Sequence, residues 1–130
     1  MCWPDASAVE AKVAAVDLFV PSPDSDTSTS GCEASDFAGF PEGAVALLQR
    51  GTCFFREKLT NAVAAGATAV IVFNEGNPGR RSVFSGTLGA PQVSVPALAA
   101  SFELGEELRN GVSNGPTGVT VRLETDVAAE

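Results

Sequence analysis

The sequence predicts a mixed α+β fold: a small sandwich- or barrel-like sheet containing a βαβ unit and flanked by two helices. Three observations carry that prediction. Ala69-Val70-Ile71-Val72-Phe73 is an unbroken apolar run of strand length, as expected of a strand covered on both faces. Ahead of it, Phe55, Leu59, Ala62 and Val63 fall at helical spacing, with Gly66 placed to end the helix. A second apolar run, residues 44–48, precedes that helix. Strand, helix and strand thus follow with short links, which implies parallel, right-handed pairing.

The remaining elements follow in chain order. Val9, Ala11 and Val13 alternate with Glu10 and Lys12, and Val16, Leu18 and Val20 with Asp17 and Phe19, giving one or two strands over residues 9–20. Pro21-Ser22-Pro23 stops that run. Asp24, Asp26 and Ser28 alternate as in a calcium loop, but Thr29 stands where glycine is needed and Ser35 where glutamate is needed. The match therefore fails. Residues 36–41 form a turn whose Phe37 and Phe40 are expected to plug the core, since exposing both rings is costly. The first helix runs from about Phe54 to Ala65, with Arg56, Glu57 and Lys58 expected on its outer side.

Residues 74–89 read as an exposed excursion, with a turn at Asn77-Pro78-Gly79 and a solvated Arg80-Arg81. Gly86-Thr87-Leu88-Gly89 lacks the lysine and the preceding strand of a phosphate loop. Val93-Ser94-Val95-Pro96 is a short strand. Ser101 caps a second helix, residues 102–110, with Gly111 beyond its end. Asn114-Gly115-Pro116 turns the chain into a last strand, where Val119, Val121 and Leu123 alternate with polar residues.

A chain of 130 residues fits one domain, residues 1–130. Its formal net charge of −8 repels phosphate backbones and excludes a nucleic-acid partner. The run from Val13 to Val20 is too short to span a bilayer and is broken by Asp17, so neither membrane insertion nor a signal peptide is read here. Histidine is absent. That removes Ser-His-Asp and Cys-His catalysis and the usual zinc ligand sets, so no catalytic residue, metal or cofactor is expected. Cys53 opens a helix, where a thiolate can be stabilised, and a thiol-dependent enzyme is the remaining catalytic alternative.

Cys2, Cys32 and Cys53 show no C-x-x-C spacing. Cys32 and Cys53 either close a loop of about twenty residues, worth roughly 3 kcal/mol, or stand as two free thiols. Cys2 is left over. A disulfide with no export signal in view points to a fragment or mature domain of a longer exported protein.

Taken together, these residues resemble the protease-associated (PA) domain. That family shows an apolar strand, Arg-Gly-x-Cys-x-Phe, a helix with Lys and Asn-Ala, then Ala-Gly-Ala, an apolar strand and Asn. Here these are Leu47-Leu48-Gln49-Arg50-Gly51-Thr52-Cys53-Phe54-Phe55, Lys58, Asn61-Ala62, Ala65-Gly66-Ala67 and residues 69–74. Val93–Pro96 and Gly105-Glu106-Glu107-Leu108 match the family's second strand–helix segment. The likeness covers a core of about residues 31–124, and residues 9–20 match only as generic strand. The family's aromatic falls on Phe55, so Phe54 is an additional apolar residue.

The resemblance implies a non-catalytic accessory domain of a secreted peptidase, influencing substrate recognition or active-site access. Its partners would be a peptide or protein substrate, a neighbouring peptidase domain, or a second copy in a homodimer. It also implies a Cys32–Cys53 disulfide and an extracellular location. The alternative is a structural spacer or dimerisation module that binds no peptide. For a peptide-contact surface the candidates are Arg50, Gly51, Thr52 and Phe54 in the loop after the first buried strand. Asn74 and Glu75, at the carboxyl end of the next strand, complete the set. An arginine beside free helix N–H groups suits a peptide carboxylate. The competing reading is that Arg50 packs structurally against Glu57 or Asp36.

Overall fold

The computed structural model describes residues 6–18, 29–76, 97–114 and 120–126. Among the described residues, five strands form one curled sheet: β1 (Ala6–Ala15), β2 (Val45–Gln49), β3 (Ala69–Phe73), β4 (Ala97–Ala100) and β5 (Thr120–Asp126). Their order is β4-β3-β2-β1-β5. Neighbours β1, β2, β3 and β4 pair in parallel, and β5 closes the edge antiparallel to β1. Helix α1 (Phe55–Ala64) links β2 to β3, and helix α2 (Phe102–Asn114) follows β4. The predicted βαβ unit is β2–α1–β3.

Strand periodicity explains why β3 is apolar at every position and β2 at every position before Gln49. Ala46, Leu48, Val70 and Val72 project to one face, where they pack with Leu59 and Ala62 of α1 and with Phe37. Val45, Leu47, Ala69, Ile71 and Phe73 project to the other, where they meet Phe102 of α2. A helix covers each face, so neither set of alternate residues can be polar. Phe37 and Phe40 meet edge to face at 5.7 Å against the first cluster, as expected of core plugs.

The end of α1 shows how local chemistry sets the link. Gly66 adopts φ +101, its N–H bonds Val63 O at 3.0 Å, and Ala67 N–H bonds Ala62 O at 3.0 Å. This pair of bonds satisfies the last helix carbonyls and needs a left-handed residue at Gly66. Ser101 likewise caps α2, its Oγ accepting from Leu104 N–H at 3.2 Å.

Several boundaries differ from expectation. β1 ends at Ala15 because Asp17 takes φ +48 and turns the chain, its Oδ2 accepting from Thr29 Oγ1 at 2.9 Å. Helix α2 runs through Gly111 to Asn114 instead of stopping at residue 110. Glycine permits a left-handed stop but does not impose one, and Gly111 is not among the positive-φ residues. Lys58 lies inside rather than on the outer side of α1, for reasons given below. Residues 19–28 and 77–96 lie outside the described residues, and with them the calcium-like segment, the Arg80-Arg81 turn, the phosphate-loop lookalike and the Val93–Pro96 strand. The turn at residues 115–116 lies there too. No helix among the described residues is long and apolar enough to cross a membrane.

Candidate functional site

Parallel strands bring their carboxyl ends to one rim. There the ladder continues past the strands: Arg50 N–H bonds Phe73 O at 2.9 Å, and Asn74 N–H bonds Ala100 O at 3.0 Å. Arg50 and Asn74 therefore face each other across adjacent strands. The Arg50 guanidinium Nη1 donates to Asn74 Oδ1 at 3.3 Å, and the same oxygen accepts Glu75 N–H at 2.9 Å. Nearby, Glu57 Oε1 accepts Phe54 N–H at 3.3 Å, and Asp36 Oδ2 accepts Glu33 N–H at 3.2 Å.

Arg50, Gly51, Thr52, Cys53, Phe54 and Phe55 line an open groove of about 340 Å³ on this rim. Thr52 and Phe54 are exposed, and Arg50 and Gly51 are half-buried. Asn74 and Glu75 are buried behind them, so they support the rim from below instead of facing solvent. Cys53 is bonded to Cys32 across 21 residues of sequence, with Cα atoms 5.8 Å apart. The bridge ties the start of α1 to the 29–33 loop. Among the described residues no group of three or more His, Cys, Asp or Glu could hold a metal ion.

Comparison with known proteins agrees with this architecture. The family model for the PA domain matches residues 9–108. The chain belongs to the PA domain family. It is 48% identical over 103 residues to an aminopeptidase of Pseudomonas aeruginosa, covering 78% of this chain and 19% of that protein. It is 36% identical over 95 residues to leucine aminopeptidase 2 of Trichophyton equinum, covering 72% of this chain and 18% of that one. Minor extracellular protease Vpr of Bacillus subtilis is 36% identical over 99 residues, with 74% of this chain and 11% of that protein covered. Among solved structures, the zinc aminopeptidase BSAP of Bacillus subtilis superposes with a TM-score of 0.59 at 28% identity, over 78% of this chain and 21% of that one. The chain spans about a fifth of the aminopeptidases it matches. It is a protease-associated accessory domain.

Behind the rim of this PA domain lies a buried polar cluster built on Ser30 and Gly31. Ser30 Oγ donates to Val16 O at 2.5 Å and accepts from Gln49 N–H at 3.1 Å. Lys58 Nζ donates to Ser30 O, and Asn61 Nδ2 to Gly31 O at 3.0 Å. Gly31 needs its φ of +74, and a Cβ there would lie 3.2 Å from Leu48. The 29–33 loop is thus held by the disulfide and by hydrogen bonds with β2, α1 and the residue that follows β1.

Lys58 is fully buried, which the helical pattern alone could have signalled. It stands three residues after Phe55 and four before Ala62, on the apolar stripe itself. Burial pulls its pKa down to about 8, opposed by the carboxylates of Asp36, Glu75, Asp17 and Glu57. Between pH 8 and about 10.5 the unfolded chain therefore binds more protons than the folded one, so stability rises with pH, by on the order of 3 kcal/mol across the window. The chain has no tyrosine, which leaves that window clear. Urea midpoints taken from pH 7.5 to 10, with Cys2 alkylated, are expected to climb in the wild type and to stay level in Lys58→Met. Level midpoints in both would show that Lys58 does not carry a buried charge.

Proposed function

We propose that this PA domain is a non-catalytic peptide- and protein-recognition module of a secreted peptidase, acting through the rim formed by Arg50, Gly51, Thr52 and Phe54. Asn74 and Glu75 hold that rim from behind. In the intact protein its neighbour is a peptidase domain, and the ligand is a peptide or protein segment bearing a carboxylate. The observation that carries this reading is the Arg50–Asn74 hydrogen bond, which aims a guanidinium along the wall of an open groove. A guanidinium is a planar fork of N–H donors, and its charge-assisted pairing with a carboxylate is the strong hydrogen bond of this class. The aminopeptidase relatives support the peptidase setting. The disulfide, together with an extracellular protease among the relatives, supports secretion.

Arg50→Ala is expected to weaken binding of acidic or carboxyl-terminal peptides by about 10- to 100-fold, the range of one charged hydrogen bond. The thermal midpoint should shift little, because Arg50 is only half-buried. Fluorescence anisotropy with labelled peptides reads the first effect and calorimetry the second. Unchanged affinity would remove Arg50 from the contact surface, and a large stability loss would assign it to the fold.

A further inference from the structure

We infer that Phe54 is the apolar anchor of this rim, and that the segment it takes is an extended acidic peptide with an apolar side chain next to its carboxylate. The inference rests on the recognition role proposed above and adds the chemistry of what is recognised.

Single exposed apolar residues are common on soluble proteins. Phe54 differs in three respects. The residue is 79% exposed, whereas Phe37, Phe73 and Phe102 are buried and Phe55 packs against the core. The other large apolar side chain exposed among the described residues, Leu104, opens α2, which starts from the same rim. The Phe54 backbone is also held firmly. Its N–H donates to Glu57 Oε1 at 3.3 Å, its carbonyl accepts from Glu57 N–H at 3.1 Å, and the preceding residue is the bridged Cys53. A ring presented from so fixed a backbone loses little freedom when covered, which favours binding.

Charge selects the partner. Arg50 is the charged side chain that lines the groove with Phe54, whereas Arg56 and Glu57, in the first turn of α1, line a separate depression and offset each other. In a chain of net charge −8, a groove whose lining carries a guanidinium and no carboxylate favours an acidic ligand. Phenylalanine and arginine are both enriched in the core of protein interfaces relative to the rest of the surface. A second copy fits less well. A two-fold contact through Phe54 would bring the two Arg50 guanidinium groups toward each other.

The test uses two amino-terminally labelled hexapeptides, Gly-Ser-Gly-Ser-Leu-Glu and Gly-Ser-Gly-Ser-Ser-Glu, titrated with wild type and with Phe54→Ser. The wild type is expected to bind the leucine peptide about tenfold more tightly than the serine peptide, the gain from burying one aliphatic side chain. Phe54→Ser should abolish that preference, retain the weaker binding, and unfold at the wild-type temperature. Equal binding of both peptides, or a preference that survives Phe54→Ser, would overturn the inference and leave the role of Arg50 standing. Failure of the wild type to bind either peptide would overturn both readings. A concentration-dependent dimer abolished by Phe54→Ser would overturn this one in favour of a second copy.

Discussion

Gly105→Ala is expected to destabilise the domain by about 3 kcal/mol, at the upper end of the usual overpacking cost. Two effects compete at this position. Alanine is the better helix former and would contribute about 1 kcal/mol in the interior of α2. The added Cβ, however, would lie 2.0 Å from Cγ and 2.5 Å from Cβ of Phe73, a fully buried ring joined rigidly to β3. A clash with atoms so close to the backbone cannot be relieved by rotating a side chain, so α2 must lift from the sheet. Phe102 would lift with it, although Gly76 is packed so closely on that ring that a Cβ there would approach it to 2.5 Å. The Asn74–Gly76 segment would then lose its support, and peptide affinity should fall along with stability. Urea unfolding reads the effect directly. A stabilised Gly105→Ala would mean that helix propensity prevails and that α2 sits farther from Phe73.

Removing the disulfide is expected to cost a similar amount. Closing a loop of 21 residues restricts the unfolded chain by about 3 kcal/mol in the loop-entropy model. The double variant Cys32→Ala/Cys53→Ala should lose that stability while retaining the sheet, because the Ser30 and Gly31 hydrogen bonds to Val16, Gln49, Lys58 and Asn61 do not involve sulfur. Guanidinium midpoints with and without reductant, on wild type and on the double variant, check it. Reduced wild type and the double variant should coincide. No loss on reduction would indicate that the hydrogen-bonded loop alone sets the entry to α1.

Much of the fold was legible because several residues had one physical use. The run 69–73 could be apolar throughout only with cover on both faces, and α1 and α2 supply it. Gly66 had the place of a left-handed helix stop and takes it. Gly111 shows the limit of that reasoning, since a glycine without the capping bonds simply continues the helix. At Lys58 charge argues for the outer face and spacing for the apolar stripe, and the spacing prevails because Ser30 O accepts the buried ammonium. The Arg50–Asn74 bond joins residues 24 apart and depends on the parallel register of β2 and β3, which no local pattern contains. Phe54 was ambiguous for a related reason. Of two adjacent rings at a helix start, only the angle at which α1 enters decides that Phe55 packs inward and Phe54 faces solvent.

The most direct test of the rim as the recognition surface is an amide chemical-shift map of the isotopically labelled domain, titrated with the leucine-containing acidic hexapeptide. The largest saturable shifts are expected at Gly51, Thr52, Phe54 and Asn74, and in Arg50→Ala they should need about 10- to 100-fold more peptide to saturate. Saturable shifts confined to the opposite end of the sheet, around Gly43 and Gly66, or to the edge strand Ala97–Ala100, would contradict it.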